Sequence, residues 1–524
     1  MIVRVIIDNV RAEKILSGRG EMSLFVHVRD SAGLLRVKSS IVMPVVLLGC
    51  LYANHVYALP DSNLIEFSNC TLTLPGTTRT TEARCGWLEV AENPQEPDGN
   101  KIKLHVALAT AVSRTPKSDP LFFFAGGPGQ AASEAYVVMQ PILEKIRKER
   151  DIVLIDQRGT GQSNPLKCPA EETDTFASSL DMEKVTEWIR KCLEQLNGDP
   201  RFYTTTIAMQ DYEQVRRAMG YEKINLYGGS YGTRAAQVYL RLNPEHVRSV
   251  ILDSVVPMEL ILGTEHAKML DRSVAATFKD CEQDDTCRKL YSEGISGLDN
   301  LIRQLREQPR EISFTHPATG KQENLVVTTD VLAAAIRFLS YSSETQALLP
   351  LLIHEAVTIG TLDRLASQAW LVLSQLLDQI SSGMEMSVTC AEDYPYMPED
   401  LDDSDTILGN AFITLFQSRC EIWPHGESIP GFHDPVIFDV PVLLLTGTRD
   451  PVTPPAYAEQ TASHFPNSLV LTGTGLGHSV ITNYCLREIA GEFILMGSIE
   501  DLDTSCVAHI RPAPFFTSIL GPEP

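Results

Sequence analysis

Positive charge, clustered cysteines and long apolar runs are what these 524 residues have little of. Lys and Arg number 44 against 67 Asp and Glu, a formal net charge of −23. That balance argues against nucleic acid and anionic membrane surfaces as partners. The apolar run from Ile41 to Tyr52 is 12 residues long, short of the roughly 20 that cross a bilayer as a helix. No integral membrane span is therefore expected. None of the 11 cysteines forms a C-x-x-C pair, so a structural zinc site is not expected and no metal is assigned. Low-complexity tracts are missing too, and 44% of the residues are hydrophobic. The chain is globular and too long for one ordinary domain, so it holds a large domain with an insertion, or two domains.

The first 58 residues differ from the rest. Arg36 and Lys38 precede the apolar run, and Val56-Tyr57-Ala58 closes it. A basic flank, a short apolar core and small residues at the end predict a secretory leader cut after Ala58. Met22 and Met43 are alternative starts for a leader of ordinary length. The competing reading is a lipid anchor on Cys50, because Leu47-Leu48-Gly49-Cys50 resembles a lipobox. Secreted or periplasmic export is the preferred reading. The ten cysteines after the leader support it, since an even number in an exported chain points to disulfides. They fall as near neighbours: Cys70/Cys85, Cys168/Cys192, Cys281/Cys287, Cys390/Cys420 and Cys485/Cys506. Several connectivities are open on sequence alone, and sequential pairing is the simplest.

What the chain does have is a serine in a particular setting. An apolar stretch with Ile224 and Leu226 ends in Gly228-Gly229-Ser230-Tyr231-Gly232, and a helix-forming segment follows at once. This is G-x-S-x-G between strand and helix, the context in which a serine hydroxyl is held above a sheet on a sharp turn. Residues two before and two after must lack Cβ for the backbones to pass. The following helix N-terminus offers the Tyr231 N–H to a developing oxyanion.

The surrounding pattern names the fold class. Cys85–Val90 and Lys101–Thr110 read as a hairpin, while Pro120–Ala125, Asp151–Asp156 and Arg248–Asp253 are apolar runs ending at loops. Such runs with helical segments between them predict parallel strands covered on both faces. Residues 207–219 predict an amphipathic helix before the serine strand. From 258 to 435 the chain turns helical, as in Val331–Leu339, Gln346–Ile359 and Leu362–Ile380, with Gln322–Thr328 as one strand candidate. Strands return at Val440–Thr446 and Ser468–Thr472, then a helix over 479–496. The expected architecture is α/β: an α/β-hydrolase fold, a mostly parallel sheet flanked by helices, with an inserted helical cap. Residues 59–257 and 436–524 form the core and 258–435 the cap.

A serine hydroxyl needs a base, and the base needs an orienting carboxylate. In this fold they follow the serine in the order acid, histidine, each just past a strand end. Asp450 in Thr446-Gly447-Thr448-Arg449-Asp450-Pro451 meets the first requirement. His478 meets the second, 28 residues on, at the end of Gly473-Thr474-Gly475-Leu476-Gly477-His478. A second oxyanion donor belongs on the loop after an earlier strand, and Gly126-Gly127-Pro128-Gly129 suits it, with the Gly127 N–H as candidate.

Taken together, Ala125-Gly126-Gly127-Pro128-Gly129, Asp156-Gln157-Arg158-Gly159-Thr160-Gly161-Gln162-Ser163, the Ser230 elbow and Gly447–Pro454 resemble the prolyl and tripeptidyl aminopeptidase family of α/β-hydrolases. The resemblance runs from about residue 80 to 500. It implies a serine exopeptidase that takes peptides by a free N-terminus, with Ser230, Asp450 and His478 as triad and no cofactor. Ala125 departs from the histidine that prolyl aminopeptidases usually carry there, which tilts the reading to the tripeptidyl type. The segment Asp156-Gln157-Arg158 is expected to brace the oxyanion loop. A substrate ammonium needs a carboxylate in the cap, and Ser387-Val388-Thr389-Cys390-Ala391-Glu392-Asp393 offers Glu392, with Asp393 as its alternative. A carboxylic-ester hydrolase on the same machinery is the alternative function, and a non-catalytic binding protein a weaker one.

Overall fold

A computed structural model of the chain describes residues 65–168, 182–317 and 319–522. It also describes, as backbone, four antiparallel strands that form a unit by themselves: β1 (Val3–Ile7), β2 (Val10–Leu16), β3 (Met22–Asp30) and β4 (Gly33–Lys38). The leader run, Cys50 and Ala58 lie outside the described residues.

The main unit is built on one sheet. Its strands are β5 (Ser68–Thr73), β6 (Thr80–Ala91), β7 (Lys101–Ala109), β8 (Leu121–Phe124), β9 (Ile152–Ile155), β10 (Ile224–Gly229) and β11 (Val247–Asp253). The inserted cap carries β12 (Arg310–Thr315) and β13 (Gln322–Val327), paired only with each other. Then come β14 (Val442–Gly447) and β15 (Ser468–Gly473). The nine-stranded order is β15-β14-β11-β10-β8-β9-β7-β6-β5. From β15 to β9 all neighbours are parallel, and β7, β6 and β5 add an antiparallel edge.

Alternation within the central strands fills two cores. Leu226, Leu252 and Leu444 point to one face, where the helices Thr205–Ala218 and Tyr231–Leu242 pack. Tyr227, Ile251, Leu443 and Leu445 point to the other, against Ala132–Met139 and Tyr484–Met496. Each such side chain, fully withdrawn from water, contributes about 1.5–3 kcal/mol. The register aligns the strand ends: Gly228 pairs with Phe124, Gly229 with Asp253, Asp253 with Leu445 and Gly447 with Gly473. Every loop expected to carry chemistry thus leaves the sheet at the same edge.

The cap has its own core, with Leu270, Leu301, Leu332, Leu339 and Leu352 fully buried. Its helices Thr329–Leu339, Ser343–His354 and Asp363–Gln379 fall close to the predicted ones. The expected strand is β13, but its partner β12 was not anticipated. Only Phe314 of β12 is buried, so its apolar pattern is too thin to stand out in sequence. The ten cysteines from Cys70 to Cys506 pair sequentially, as Cys70–Cys85, Cys168–Cys192, Cys281–Cys287, Cys390–Cys420 and Cys485–Cys506.

Candidate active site

Ser230 sits between β10 and the helix Tyr231–Leu242 with φ 55° and ψ −124°, a conformation that a non-glycine residue adopts only under constraint. The constraint is close packing. A Cβ on Gly228 would run into the Gly232 carbonyl, and one on Gly232 into the Phe124 carbonyl. The glycines therefore permit the turn that lifts Ser230 off the sheet. The Ser230 N–H donates to the Asp253 carbonyl (2.9 Å), tying the elbow to the end of β11.

The Gly126–Gly129 loop lies against this serine. A Cβ on Gly126 would stand 3.3 Å from Ser230 Cβ, and Gly127 has φ 106°. Neither the Gly127 nor the Tyr231 N–H donates a hydrogen bond among the described residues. Both stay available for a substrate oxygen. The Asp156–Arg158 segment braces its surroundings. Asp156 accepts from Ser133 N (2.9 Å) and Ser133 Oγ (3.0 Å), behind the glycine loop. Gln157 Nε2 donates to Tyr231 Oη (3.1 Å), and buried Arg158 pairs with Asp211 (2.6 Å).

Asp450 and His478 come together as expected. His478 Nδ1 lies 2.8 Å from Asp450 Oδ2, which fixes the proton on Nδ1 and leaves Nε2 free to act as base. The other Asp450 oxygen accepts from the amides of Val452 (2.8 Å) and Thr453 (2.7 Å), and Thr453 Oγ1 donates to Oδ2 (2.8 Å). Burial disfavours the His478 imidazolium, but Asp450 outweighs it by charge and by hydrogen bond. The pKa of His478 ends above its usual 6.5.

The cap clamps both loops. Arg272 donates to the Thr448 and Asp450 carbonyls (3.1 and 2.8 Å), and Ser273 Oγ to that of Arg449 (2.6 Å). Ser343 Oγ donates to the Gly475 carbonyl (3.0 Å), and the His478 N–H to that of Tyr341 (2.8 Å). Asp253 is the other tie. Its carboxylate accepts from the Val480 and Ile481 amides (3.0 and 3.4 Å) and from Tyr227 Oη (3.0 Å). Burial pushes it up to about 6, although these bonds and the nearby His478 oppose that. Thr453, Tyr341, Arg272, Ser273 and Asp253 were not singled out from sequence. Only Asp253, an acid at the end of an apolar strand, carried a usable signal.

Glu392 and Asp393 end the helix Ser382–Glu392 fully buried, and they differ in partners. Asp393 pairs with Arg234 (2.9 Å) and accepts from Leu262 N (2.7 Å). Glu392 accepts from Thr205 N (2.5 Å) and Thr205 Oγ1 (2.7 Å) and has no ion-pair partner among the described residues. Thr205 Oγ1 is in turn 2.6 Å from Tyr231 Oη, linking Glu392 to the residue after the elbow serine. Burial, then the charge of Asp393, raises the Glu392 pKa to about 8, partly opposed by Thr205. Among the described residues no cluster of His, Cys, Asp and Glu could hold a metal, and no helix is long and apolar enough to cross a membrane.

Comparison with known proteins agrees with this architecture. Residues 119–292 match the alpha/beta hydrolase fold model, and residues 405–506 the TAP-like protein model. The tripeptidyl aminopeptidase of Streptomyces coelicolor is 25% identical over 467 residues, 82% of this chain and 84% of that one. The serine protease Hip1 of Mycobacterium tuberculosis is 24% identical over 487 residues, covering 84% and 91%. The proline iminopeptidase of Neisseria gonorrhoeae is 29% identical over 144 residues, 27% of this chain and 34% of its own. The two matched segments lie mostly on the core and run into the cap at its two ends, and the two longer likenesses run through the cap as well. The chain is a serine hydrolase of the α/β-hydrolase fold with a TAP-like C-terminal region, similar over most of its length to tripeptidyl aminopeptidases.

Proposed function

We propose that this protein is an exported serine aminopeptidase of the tripeptidyl or prolyl type, which cuts peptides held by their free N-terminus. His478 Nε2 takes the Ser230 proton as Oγ attacks the scissile carbonyl. The tetrahedral oxyanion is held by the Gly127 and Tyr231 amides, and His478 then protonates the leaving amine. Water, activated by the same histidine, releases the acyl group. The peptidase names of the longer relatives support a peptide substrate.

The observation that carries the amino-end specificity is Glu392. It is a buried acid without a cation of its own, one threonine away from Tyr231. A substrate ammonium would supply that cation and draw off the proton that burial favours. Asp393, already paired with Arg234, is not free for the role.

Peptide p-nitroanilides with free and with acetylated N-termini, set against p-nitrophenyl esters, test the reading. Free peptides should be turned over far faster than blocked ones. Turnover of esters alone would establish the carboxylic-ester hydrolase instead. Glu392→Gln should lower kcat/KM for free-amine peptides by roughly 30- to 4,000-fold, from about 2–5 kcal/mol for one lost partner of a desolvated charge pair. Esters should be nearly unaffected. Equal losses on both classes would make Glu392 a brace for Thr205 and Tyr231 instead.

Export is supported by the five disulfides. Mass spectrometry of the purified protein should find its N-terminus near Leu59 and no free thiol under denaturation without reductant. A diacylglyceryl adduct on Cys50 would establish the lipid anchor, and several free thiols would refute the bridges.

A further inference from the structure

One cation near the proposed catalytic histidine has no ion-pair partner among the described residues. Arg337, on the cap helix Thr329–Leu339, has a buried Nη1 without a hydrogen-bond partner, and no acid among the described residues pairs with it. In a chain with 67 acids against 44 Lys and Arg, an unpaired half-buried guanidinium needs a reason. Its plane is held over the Phe412 ring, 5.0 Å from the centroid. The same ring meets His266 edge-on at 5.4 Å, and His266 Nδ1 is a second buried polar atom without a partner. Burial, and then the charge of Arg337, keep His266 neutral. An N–H there is compatible with an anion.

The position of this pair relative to the chemistry follows from Tyr341. Four residues after Arg337, Tyr341 accepts the His478 N–H and packs its ring edge-on to the imidazole at 5.3 Å. Arg337 is also close enough for its charge to act on His478. His478 protonates the leaving amine, so groups packed beyond it face the leaving part of the peptide. A guanidinium with a buried, unpartnered Nη1 and a buried neutral imidazole with an unpartnered Nδ1 match a carboxylate.

We propose that Arg337, assisted by His266, forms a subsite for a carboxylate on the leaving part of the substrate, the C-terminal carboxylate when a single residue follows the scissile bond. This rests on the aminopeptidase reading above, and its substrate class is then short peptides with a free carboxyl end as well as a free amino end.

The test uses alanine peptides from two to five residues to find the length cut before the last residue. That peptide is then made as free acid, as carboxamide, and as carboxamide with aspartate in last place. Affinities are measured by calorimetry on the Ser230→Ala protein, with and without Arg337→Gln or Arg337→Lys, so that binding is read without turnover. The free acid should bind about 10- to 100-fold more tightly than the carboxamide, the range for a hydrogen bond to a charged group. Arg337→Gln should collapse that ratio, and Arg337→Lys should keep part of it. Tight binding of the aspartate amide would identify an acidic side chain as the ligand in place of the chain terminus. Equal affinity for acid and amide, or an equal loss on both in Arg337→Gln, overturns the subsite. Failure of the unmodified protein to cut any peptide or p-nitroanilide would instead refute the aminopeptidase reading; acid and amide forms of every length are then compared by calorimetry, and that ratio still decides the subsite.

Discussion

Ser230→Ala should remove turnover by about 10⁶-fold, the scale of losing the nucleophile of a triad. The fold should be untouched, with thermal unfolding shifted by no more than a few degrees. Ser230 Oγ makes no hydrogen bond among the described residues, so its deletion takes away no structural partner. The elbow is held by backbone contacts of Gly228 and Gly232 and by the bond from Ser230 N to Asp253. His478→Ala should cost as much, and the double variant little more, because nucleophile and base act as one unit. Steady-state kinetics and calorimetric unfolding read both halves of the claim. Activity retained in Ser230→Ala would end the mechanism.

Asp450→Asn should cost roughly 10⁴-fold. One Asp450 oxygen accepts two backbone amides and the other faces Thr453 Oγ1 and His478 Nδ1. An amide at this position must turn its NH₂ either toward those donors or toward the imidazole N–H. The two backbone donors at Oδ1 favour the carbonyl oxygen on their side, so the NH₂ faces Nδ1 and His478 loses the tautomer that leaves Nε2 basic. The pH profile gives a second reading. As the proposed base His478 must be neutral, so activity should fall as pH drops through its pKa. Asp450 raises that pKa, which places the acid limb above the usual 6.5. With the carboxylate gone, the limb of the residual activity should move to lower pH. A profile that does not move would show that Asp450 is not the partner of the base.

The legibility of this site follows from the range of the forces that make it. At Gly228, Ser230 and Gly232 the turn needs glycines at fixed offsets from the serine, whether the close neighbour is the turn itself or Phe124, and the sequence displays that spacing. Asp450 and His478 are legible because strand ends in this fold share an edge, so position along the chain stands for position in space. The edges of the helices Thr329–Leu339 and Asp363–Gln379 were also readable, since their apolar period is sustained over several turns. The clamps from the cap were not. Arg272, Ser273 and Ser343 donate to carbonyls more than 130 residues away, the Tyr341 carbonyl accepts the His478 N–H over a similar span, and a backbone acceptor leaves no mark in a side-chain pattern. The contrast between Glu392 and Asp393 is of the same kind. Two adjacent acids look equivalent until Arg234, 159 residues earlier than Asp393, chooses one of them.

The central claim is a covalent acyl-enzyme on Ser230, and trapping it is the most direct measurement. The protein is mixed with a free-amine peptide ester, quenched in acid before deacylation, digested, and mapped by mass spectrometry. The account predicts the mass of the peptide acyl group on the fragment containing Ser230, and no adduct in Ser230→Ala. An adduct on another residue, or sustained turnover with Ser230 never modified, would contradict it.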